Sequence, residues 1–373
     1  MKFIASSGLL LQKLQAVNGA ILSKPVIASI ENYLFDLVDG KLFITTTDLE
    51  TFMQESMEVQ STDNIRICIP SKATTDILRA LGEQPLNFTF NTENNSIELS
   101  TNSGRYKLPG NDAEDYPPAP DFQALNTFTI PASILLRGIN KTLFATGTDD
   151  LRPALTGVLF ELSENEFNMV ATDANRLVKF RREDVKPGFE QKFIIPKKSL
   201  QLIKSALQDE DNNVLFEISD QNIRITYNSL TIYARIMDEQ FPDYRMVIPS
   251  DNNNNMVVPR LEILSAIKRI AIFANQQTHQ IKLKIAGSEL SIMAEDIEKA
   301  SEGYETLPCD FDGEDMEIGF NSKYLSEMLG NFECEDVIFK LSVPSRAGLV
   351  VPKINEDSEE ILMLIMPMML NNY

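Results

Sequence analysis

Gly40-Lys-Leu-Phe-Ile-Thr-Thr-Thr-Asp48 has the rhythm of a β-strand and ends in an aspartate. The pattern returns as Glu166-Phe-Asn-Met-Val-Ala-Thr-Asp173 and as Glu289-Leu-Ser-Ile-Met-Ala-Glu-Asp296, which puts the three aspartates 125 and 123 residues apart. A repeat with this period indicates three copies of one structural unit along the chain.

Two further markers keep the same spacing. Ile69-Pro-Ser-Lys72, Ile195-Pro-Lys-Lys198 and Phe320-Asn-Ser-Lys323 each open a helical stretch, and their lysines are 126 and 125 residues apart. Tyr116-Pro117 and Phe241-Pro242 are again 125 residues apart. We therefore predict three domains, 1–122, 123–250 and 251–373, and we interpret the polar run 251–255 as a linker.

Each predicted domain has the order helix, strands, helix, strands. Strands follow one another without an intervening helix, which favours antiparallel sheets over parallel βαβ winding. The fold class is therefore α+β, with two βα half-units per domain and helices packed on antiparallel sheet. The six predicted helices are residues 7–22, 71–81, 131–144, 197–207, 258–274 and 321–331.

Positive charge is concentrated on these helices. They carry twelve lysines and arginines against three acidic residues, in a chain whose net charge is −20. On helix 131–144, Arg137 and Lys141 lie four residues apart, opposite an apolar face that includes Leu135 and Ile139. An ordinary solvated face explains any single helix equally well, but five net-positive helices in an acidic chain favour a common function.

Helices of this kind attract phosphates without reading bases, and the acidic remainder of the chain repels DNA elsewhere. We therefore predict contact with duplex DNA. The predicted DNA-facing residues on the helices are Lys13, Lys72, Arg79, Arg137, Lys141, Lys197, Lys198, Lys204 and Arg269.

Geometry indicates how many chains such a surface needs. Packed helices lie roughly 8–10 Å apart, so six of them form a circle only about 19 Å across. A B-DNA duplex is roughly 20 Å wide and does not fit inside. Twelve helices leave an opening of roughly 28 Å, which predicts that two chains together enclose the duplex.

Nothing in the sequence predicts a cofactor, a metal site or catalysis. Cys68, Cys309 and Cys334 lack metal-ligand spacing, the sole histidine, His279, has no partner in a recognisable motif, and no phosphate-binding glycine loop occurs. The recurring aspartates fit a structural role at strand ends better than three copies of a catalytic acid. A nuclease that uses Asp173 is the enzyme alternative.

The sequence also predicts a soluble cytoplasmic protein. The longest apolar run, residues 361–370, is half the length that a membrane span needs. No secretion signal is recognisable at the N-terminus, because Gln12 and Lys13 interrupt the first apolar run. We therefore expect no membrane association.

An ordered set of motifs resembles a known family. Asp150-Leu-Arg-Pro-Ala-Leu-Thr-Gly-Val-Leu-Phe-Glu161, Ala171-Thr-Asp-Ala-Asn-Arg-Leu177, Phe241-Pro-Asp-Tyr244 and Met366-Pro-Met-Met-Leu370 resemble, in register, the bacterial sliding clamp, the β subunit of DNA polymerase III. The resemblance implies a head-to-tail homodimeric ring of six similar domains, with helices inside and sheets outside. It also implies loading by an ATP-driven clamp loader and tethering of DNA polymerase and repair proteins. Lys24 matches a DNA-contacting position of the family.

The resemblance further implies a pocket between the second and third domains that receives short hydrophobic peptides of partner proteins. Its methionines and leucines suit an adaptable apolar cleft, with Arg176 and Thr172 as polar contacts at the rim. The matching residues are Leu155, Thr172, Ala174, Asn175, Arg176, Leu177, Pro242, Met246, Val247, Leu364, Met366, Pro367, Met368, Met369 and Leu370.

This chain departs from the family pattern at several positions. Ala174-Asn175 replaces Gly-His, and Met246 and Met369 replace basic residues, so the pocket should be more apolar here. Asn371-Asn372-Tyr373 extends the chain beyond the usual terminal leucine. Pro153 and Ala154 stand where the family often has aromatic residues that touch DNA, which puts that contact in doubt.

For the ring contact, the resemblance implies that an edge strand of the first domain meets the third domain of the other chain. Tyr106 and Leu108 alternate on one face, as in a paired edge strand, although Ile272 and Phe273 could equally be core residues. The matching residues are Arg105, Tyr106, Lys107, Leu108, Ile272, Phe273 and Glu298. The alternative function is an acidic interaction scaffold that does not encircle DNA.

Overall fold

A computed structural model describes residues 1–91, 94–207 and 212–370 of the chain. They form two compact units. The first unit comprises Met1–Leu136 and Lys198–Ile236, and the second comprises Arg137–Lys197 and the chain from Met237 onward. The predicted extension Asn371-Asn372-Tyr373 lies outside the described residues.

All six predicted helices are confirmed, with shorter ends than predicted. Proline is the last residue of the strand before four of them, at Pro70, Pro131, Pro196 and Pro259, where it fixes the extended backbone from which the helix starts. None of the helices among the described residues is long and apolar enough to span a membrane. The helices are α1 (Ser7–Val17), α2 (Ser71–Ala80), α3 (Ala132–Thr142), α4 (Lys197–Ala206), α5 (Arg260–Ile270) and α6 (Ser322–Gly330).

The strands fall into three successive groups. The first group is β1 (Lys2–Ser6), β2 (Asn32–Val38), β3 (Lys41–Thr47), β4 (Thr51–Glu58), β5 (Ile65–Pro70), β6 (Pro85–Asn91), β7 (Ser96–Ser100) and β8 (Arg105–Pro109). The second is β9 (Asn126–Pro131), β10 (Gly157–Leu162), β11 (Phe167–Thr172), β12 (Arg176–Arg182), β13 (Gln191–Pro196), β14 (Asn213–Ile218), β15 (Asn222–Tyr227) and β16 (Leu230–Arg235). The third is β17 (Asn254–Pro259), β18 (Gln280–Ala286), β19 (Glu289–Asp296), β20 (Ser301–Pro308), β21 (Asp310–Phe311), β22 (Met316–Asn321), β23 (Asp336–Leu341), β24 (Gly348–Pro352) and β25 (Glu359–Ile365).

One order of elements, a strand, a helix and three strands, occurs six times. This order agrees with the two half-units predicted for each domain. It also includes a strand before the first helix of each domain, namely β1, β9 and β17, which was not predicted. One of these strands, β17, begins in the polar run 251–255, where Asn254 and Asn255 pair with β23. Buried Asn252 also donates hydrogen bonds to the carbonyls of Lys340 and Ala347. The prediction that this run is a linker is therefore wrong.

The first unit contains two sheets, with the strand orders β1-β6-β7-β8 and β5-β2-β3-β4-β16-β15-β14-β9. The larger sheet joins the first and second sequence repeats where β4 pairs with β16, from Thr51 opposite Ala234 to Glu55 opposite Leu230. Helix α1 buries Leu10 and packs on β3 and β4.

The second unit contains the orders β13-β10-β11-β12-β25-β24-β23-β17-β21 and β20-β19-β18-β22. Its larger sheet joins the second and third repeats where β12 pairs with β25, from Arg176 opposite Ile365 to Arg182 opposite Glu359. Strands β10 and β11 are buried along their whole length, so this junction belongs to the core of the unit. The strand pairs of both units are antiparallel, as predicted.

Candidate functional site

The floor of the predicted peptide pocket lies in the second unit at the junction of β12 and β25. Leu177 is paired with Leu364 there, and Met366 continues the contact because its backbone N–H donates to the carbonyl of Asn175 over 2.8 Å. Both leucines belong to one buried apolar cluster: Leu159, Val170, Leu177, Ile194, Tyr244, Ala347, Leu349 and Leu364. The structure therefore brings the central residues of the predicted pocket together.

The predicted rim is apolar and exposed. Tyr244 is buried in the cluster and Ile248 packs against it, while Met246 and Val247 between them are exposed. Met366 and Met369 of the tail are exposed as well, although Met368 donates its N–H to the carbonyl of Gly319. The anchored backbone of the segment 244–248 and of the tail thus presents the side chains of Met246, Met366 and Met369 to solvent.

Other predicted pocket residues line three surface depressions of the second unit. Leu155 lines one of about 420 Å³ together with Asn175 and Arg176. Pro242 lines a second of about 640 Å³, and Met368, Met369 and Leu370 line a third of about 580 Å³. The predicted set therefore marks a region with several subsites rather than one continuous cavity.

The turn that follows β11 is held by its own side chains. The Thr172 hydroxyl donates to the carbonyl of Arg176 and accepts from the N–H of Ala174, and Asp173 Oδ1 accepts from the N–H groups of Asn175 and Arg176. Ala174 adopts a φ of +75°. Asp48 repeats the arrangement by accepting from the N–H groups of Glu50 and Thr51. Asp173 and Asp48 thus have the turn-forming role that the sequence predicts.

Arg176 lines the depression near Leu155 with most of its side chain enclosed by protein, and its rim contact with a peptide stays a prediction. Its side chain is 7% exposed and donates to Asp173, to Glu327 over 2.6 Å and to the carbonyl of Phe144. The guanidinium also lies over the rings of Phe144 and Tyr324, 5.2 and 4.7 Å from their centres. Arg176 therefore fixes the wall of the depression near Leu155, and the Thr172 hydroxyl is likewise occupied within its turn.

Glu161 is a pocket-supporting residue that the sequence analysis missed. Its buried carboxylate accepts from Tyr244 over 2.7 Å and from Arg245 over 2.6 Å, and pairs with Lys192. Burial raises its pKa, but the bonds from Lys192, Tyr244 and Arg245 outweigh burial and hold the pKa at about 2. The contact fastens the segment that precedes Met246 to strand β10. Tyr244 is 83 residues away in sequence, so no local pattern identifies the pair.

Three comparisons with known proteins bear on this architecture. Models of the DNA polymerase III beta subunit match successive parts of the chain: the N-terminal domain at residues 1–120, the central domain at 129–243 and the C-terminal domain at 245–369. The chain belongs to this family, the DNA polymerase sliding clamps. It has the three-domain clamp fold with antiparallel sheets.

Individual sliding clamps match over nearly the full length. The beta sliding clamp of Escherichia coli K12 is 30% identical, over 92% of this chain and 93% of its own. A crystal structure of the Pseudomonas aeruginosa subunit has a TM-score of 0.95 at 27% identity, covering 99% of this chain and 100% of its own. Another Pseudomonas aeruginosa clamp structure, bound to griselimycin, has a TM-score of 0.93 at the same identity and coverage.

The cations predicted to face DNA in this clamp are not equally available. Lys24, Lys72, Arg79, Lys198 and Lys204 of the first unit are exposed, although Lys198 pairs with Asp48. Lys13 is half-buried against Glu55. In the second unit Lys197 is half-buried and Arg269 is exposed but paired with Glu305. The residues of the first unit thus carry most of the accessible positive charge of the predicted set.

Arg137 and Lys141 of the clamp do not project freely from α3, contrary to the prediction. Lys141 is 4% exposed, donates to the carbonyl of Asn331 over 2.6 Å and pairs with Glu333. Arg137 pairs with Glu333, Glu356 and Glu359 over 2.6 to 2.8 Å. The helical wheel separates charge from apolar residues but does not reveal acidic groups almost two hundred residues away. Both cations are structural within the second unit.

The residues predicted for ring closure lie on accessible strands of each unit. Strand β8, which contains Arg105, Tyr106, Lys107 and Leu108, is at the edge of its sheet. Strand β20 is at the edge of a sheet in the second unit, and Ile272 and Phe273 near it are exposed rather than core residues. Glu298 is exposed in the turn before β20. Exposed Ile297 and Tyr304 belong to the same region but were not predicted.

Proposed function

We propose that two copies of this chain form a ring that encircles duplex DNA and tethers a replicative DNA polymerase. The full-length match to a clamp crystal structure, at a TM-score of 0.95, carries the proposal. The ring has helices inside and sheets outside, and its three domains per chain have the boundaries 1–122, 123–250 and 251–373. It acts in the cytoplasm, where bacterial DNA is replicated, and does no chemistry of its own.

Contact with DNA in this proposal is electrostatic and independent of sequence. Lys24, Lys72 and Lys204 are its main contributors because they are exposed and form no ion pair with another described residue. Arg79, Lys198 and Arg269 contribute less because Asp76, Asp48 and Glu305 pair with them, and Lys13 and Lys197 contribute less because they are half-buried. Affinity should fall steeply with salt, because phosphate neutralisation releases counterions.

Partners bind through short hydrophobic peptides at the region around Leu177 and Leu364. These partners are the polymerase, the clamp loader and repair proteins. The buried apolar floor and the exposed methionine rim support this part of the proposal, because such a surface accepts several related peptides. The griselimycin complex of the related Pseudomonas aeruginosa clamp indicates that members of the family bind compact ligands.

Ring closure uses strand β8 of one copy and the region of Ile272, Phe273 and Glu298 of the other. The β8 edge carries exposed Lys107 and β20 carries exposed Glu302, whereas Arg105 and Glu305 on the same strands already pair with Glu98 and Arg269. Opposite charges on two unpaired edges favour pairing between copies, which also removes exposed strand edges.

Retention on circular DNA tests the proposal. The protein is loaded onto nicked circular DNA by a clamp loader with ATP, separated from free protein by gel filtration, and treated with an enzyme that linearises the circle. We expect co-elution with the circle and release after linearisation, because a ring slides off free ends. Failure to co-elute would support an acidic scaffold instead, and retention on linear DNA would indicate ordinary DNA binding. A metal-dependent nuclease activity abolished by Asp173→Asn would contradict the non-catalytic assignment.

A further inference from the structure

Three of the exposed methionines of this chain belong to the residues predicted to form the peptide pocket. Of the fourteen methionines, four are exposed: the initiator Met1, Met246 at 83%, Met366 at 44% and Met369 at 77%. All but Met1 belong to the predicted peptide pocket. We call Met246, Met366 and Met369 the methionine rim. The others, such as Met53, Met169 and Met256, are buried or half-buried.

We propose that the methionine rim is a reversible oxidation site that switches partner-peptide binding off. The inference rests on the proposed function of the pocket, and it adds a mode of regulation to that function. Exposure makes a thioether accessible to an oxidant, so the three side chains that offer apolar contact to a peptide are open to modification, as is Met1 outside the rim.

The reaction needs only a peroxide and a reductant. The thioether sulfur attacks one oxygen of hydrogen peroxide, the O–O bond breaks, an S–O bond forms, and water leaves after proton transfer, so that methionine is oxidised by two electrons. A thiol-dependent methionine sulfoxide reductase reverses the step, with two thiols becoming a disulfide and the sulfoxide oxygen leaving as water.

The cysteines of the chain compete poorly for the oxidant. Burial raises the pKa of Cys68 to about 12, and burial likewise raises the pKa of Cys309 and of Cys334. Because the thiolate is the reactive form of cysteine, these thiols react slowly at neutral pH. The exposed thioethers are therefore more open to the oxidant than buried Cys68 and half-buried Cys309 and Cys334.

Oxidation changes what a peptide meets at the rim. A sulfoxide is polar and requires hydration, whereas the apolar floor of Leu177 and Leu364 requires a dry contact above it. The backbone on both sides is anchored by Tyr244 and by the bond from Met366 to Asn175, so we expect the fold to persist. Loss of apolar contact at two or three side chains should weaken peptide binding about tenfold or more.

The test uses the full chain and fluorescently labelled griselimycin, the ligand of the related clamp, as the probe. Affinity is measured by anisotropy before peroxide, after peroxide and after treatment with sulfoxide reductase, and peptide mass mapping locates the added oxygens. We expect oxidation at Met246, Met366 and Met369, and at exposed Met1, before the other methionines, with an affinity about tenfold weaker and recovery after reduction.

Two variants separate the rim from the rest of the protein. A triple variant with Met246→Leu, Met366→Leu and Met369→Leu keeps the apolar surface, so it should bind the probe and keep its affinity in peroxide. The control, Met53→Leu with Met57→Leu, changes two buried methionines of the first unit, away from the predicted pocket, and should remain sensitive. The oxidation site alone is overturned if the wild type still binds the probe after oxidation, or if the triple variant loses as much affinity in peroxide as the wild type does. No binding before peroxide overturns the pocket and, with it, this proposal.

Discussion

Ala174 adopts a φ of +75° in the turn after β11, a conformation in which a Cβ atom is crowded. Glycine has no Cβ, so Ala174→Gly relieves strain of about 1–2 kcal/mol but loses about 0.4–1 kcal/mol through greater freedom of the unfolded chain. We expect the variant to be more stable by about 0.5 kcal/mol, measured by urea unfolding.

Ala80 is the matched control, because it is exposed in helix α2. Ala80 is the last residue of α2, so Ala80→Gly should destabilise the protein by about 0.5 kcal/mol, less than glycine costs in a helix interior. A loss of stability in Ala174→Gly equal to that in Ala80→Gly would contradict the strain at Ala174.

The Glu161 carboxylate predicts a pH dependence of stability. Its pKa of about 2 lies below the ordinary value of 4.5, so its contribution is present above pH 4.5 and is lost as the pH falls towards 2. Glu161→Gln should lower the free energy of unfolding at pH 7 by about 2 kcal/mol. This value is smaller than the shift in pKa alone implies, because water screens the exposed partners Lys192 and Arg245. The difference from wild type should shrink below pH 4.5, as measured by urea unfolding across this range.

Glu183 provides the comparison for Glu161. It pairs with Arg181 over 2.9 Å but is exposed, so Glu183→Gln should change stability by less than about 0.5 kcal/mol at any pH. If the two variants behaved alike, the buried contact of Glu161 with Tyr244 would not be stabilising the segment before Met246.

At the scale of elements, the ion pairs of helix α3 predict a stability effect rather than an effect on DNA binding. Arg137 donates two hydrogen bonds to Glu359, whose side chain is 2% exposed, over 2.6 and 2.9 Å. Arg137→Met leaves that buried carboxylate with Arg182, 3.2 Å away, as its remaining partner and should cost about 2 kcal/mol of unfolding free energy. Addition of Glu359→Gln should restore part of this loss, which a double-mutant cycle would measure.

Lys72 is the matched control for Arg137, since it lies on α2, is exposed and forms no ion pair with another described residue. Lys72→Met should leave stability within about 0.5 kcal/mol of wild type and reduce the salt dependence of DNA binding. If Arg137→Met weakened DNA binding without lowering stability, Arg137 would again be assigned to the residues that contact DNA.

The helices could be predicted from sequence because local signals define them: a proline such as Pro70 before the start and an apolar periodicity along the element. Strand β17 could not, because Asn254 and Asn255 are poor strand formers whose place is set by pairing with β23. The same reason explains why only some residues of the pocket region could be predicted. Leu177 and Leu364 were predicted from the family resemblance, whereas the role of Glu161 depends on tertiary contacts that leave no local pattern.

At the scale of the whole molecule, the exposed residue Ile272 tests ring closure. Ile272 is 79% exposed, so Ile272→Asp should not alter folding of the chain but should oppose burial in an interface between copies. We expect analytical ultracentrifugation to show the wild type at twice the chain mass and the variant at the chain mass, with similar thermal unfolding.

Leu151 is a suitable control because it is 90% exposed in the same unit and lies outside the predicted interface. Leu151→Asp should keep the mass of the wild type. A dimer in Ile272→Asp would contradict the assignment of this surface to ring closure.

The pairing of β12 with β25 has a consequence for synthesis of the chain on the ribosome. Strand β12 ends at Arg182, but its partner is complete only at Ile365. At roughly 5–20 residues per second, β12 must wait about 10–40 s for the strand that covers it. An unpaired apolar edge over that interval invites association with other nascent chains. The strand pairing that later forms the floor of the predicted pocket is therefore exposed during translation, when a chaperone that covers β12 would prevent such association.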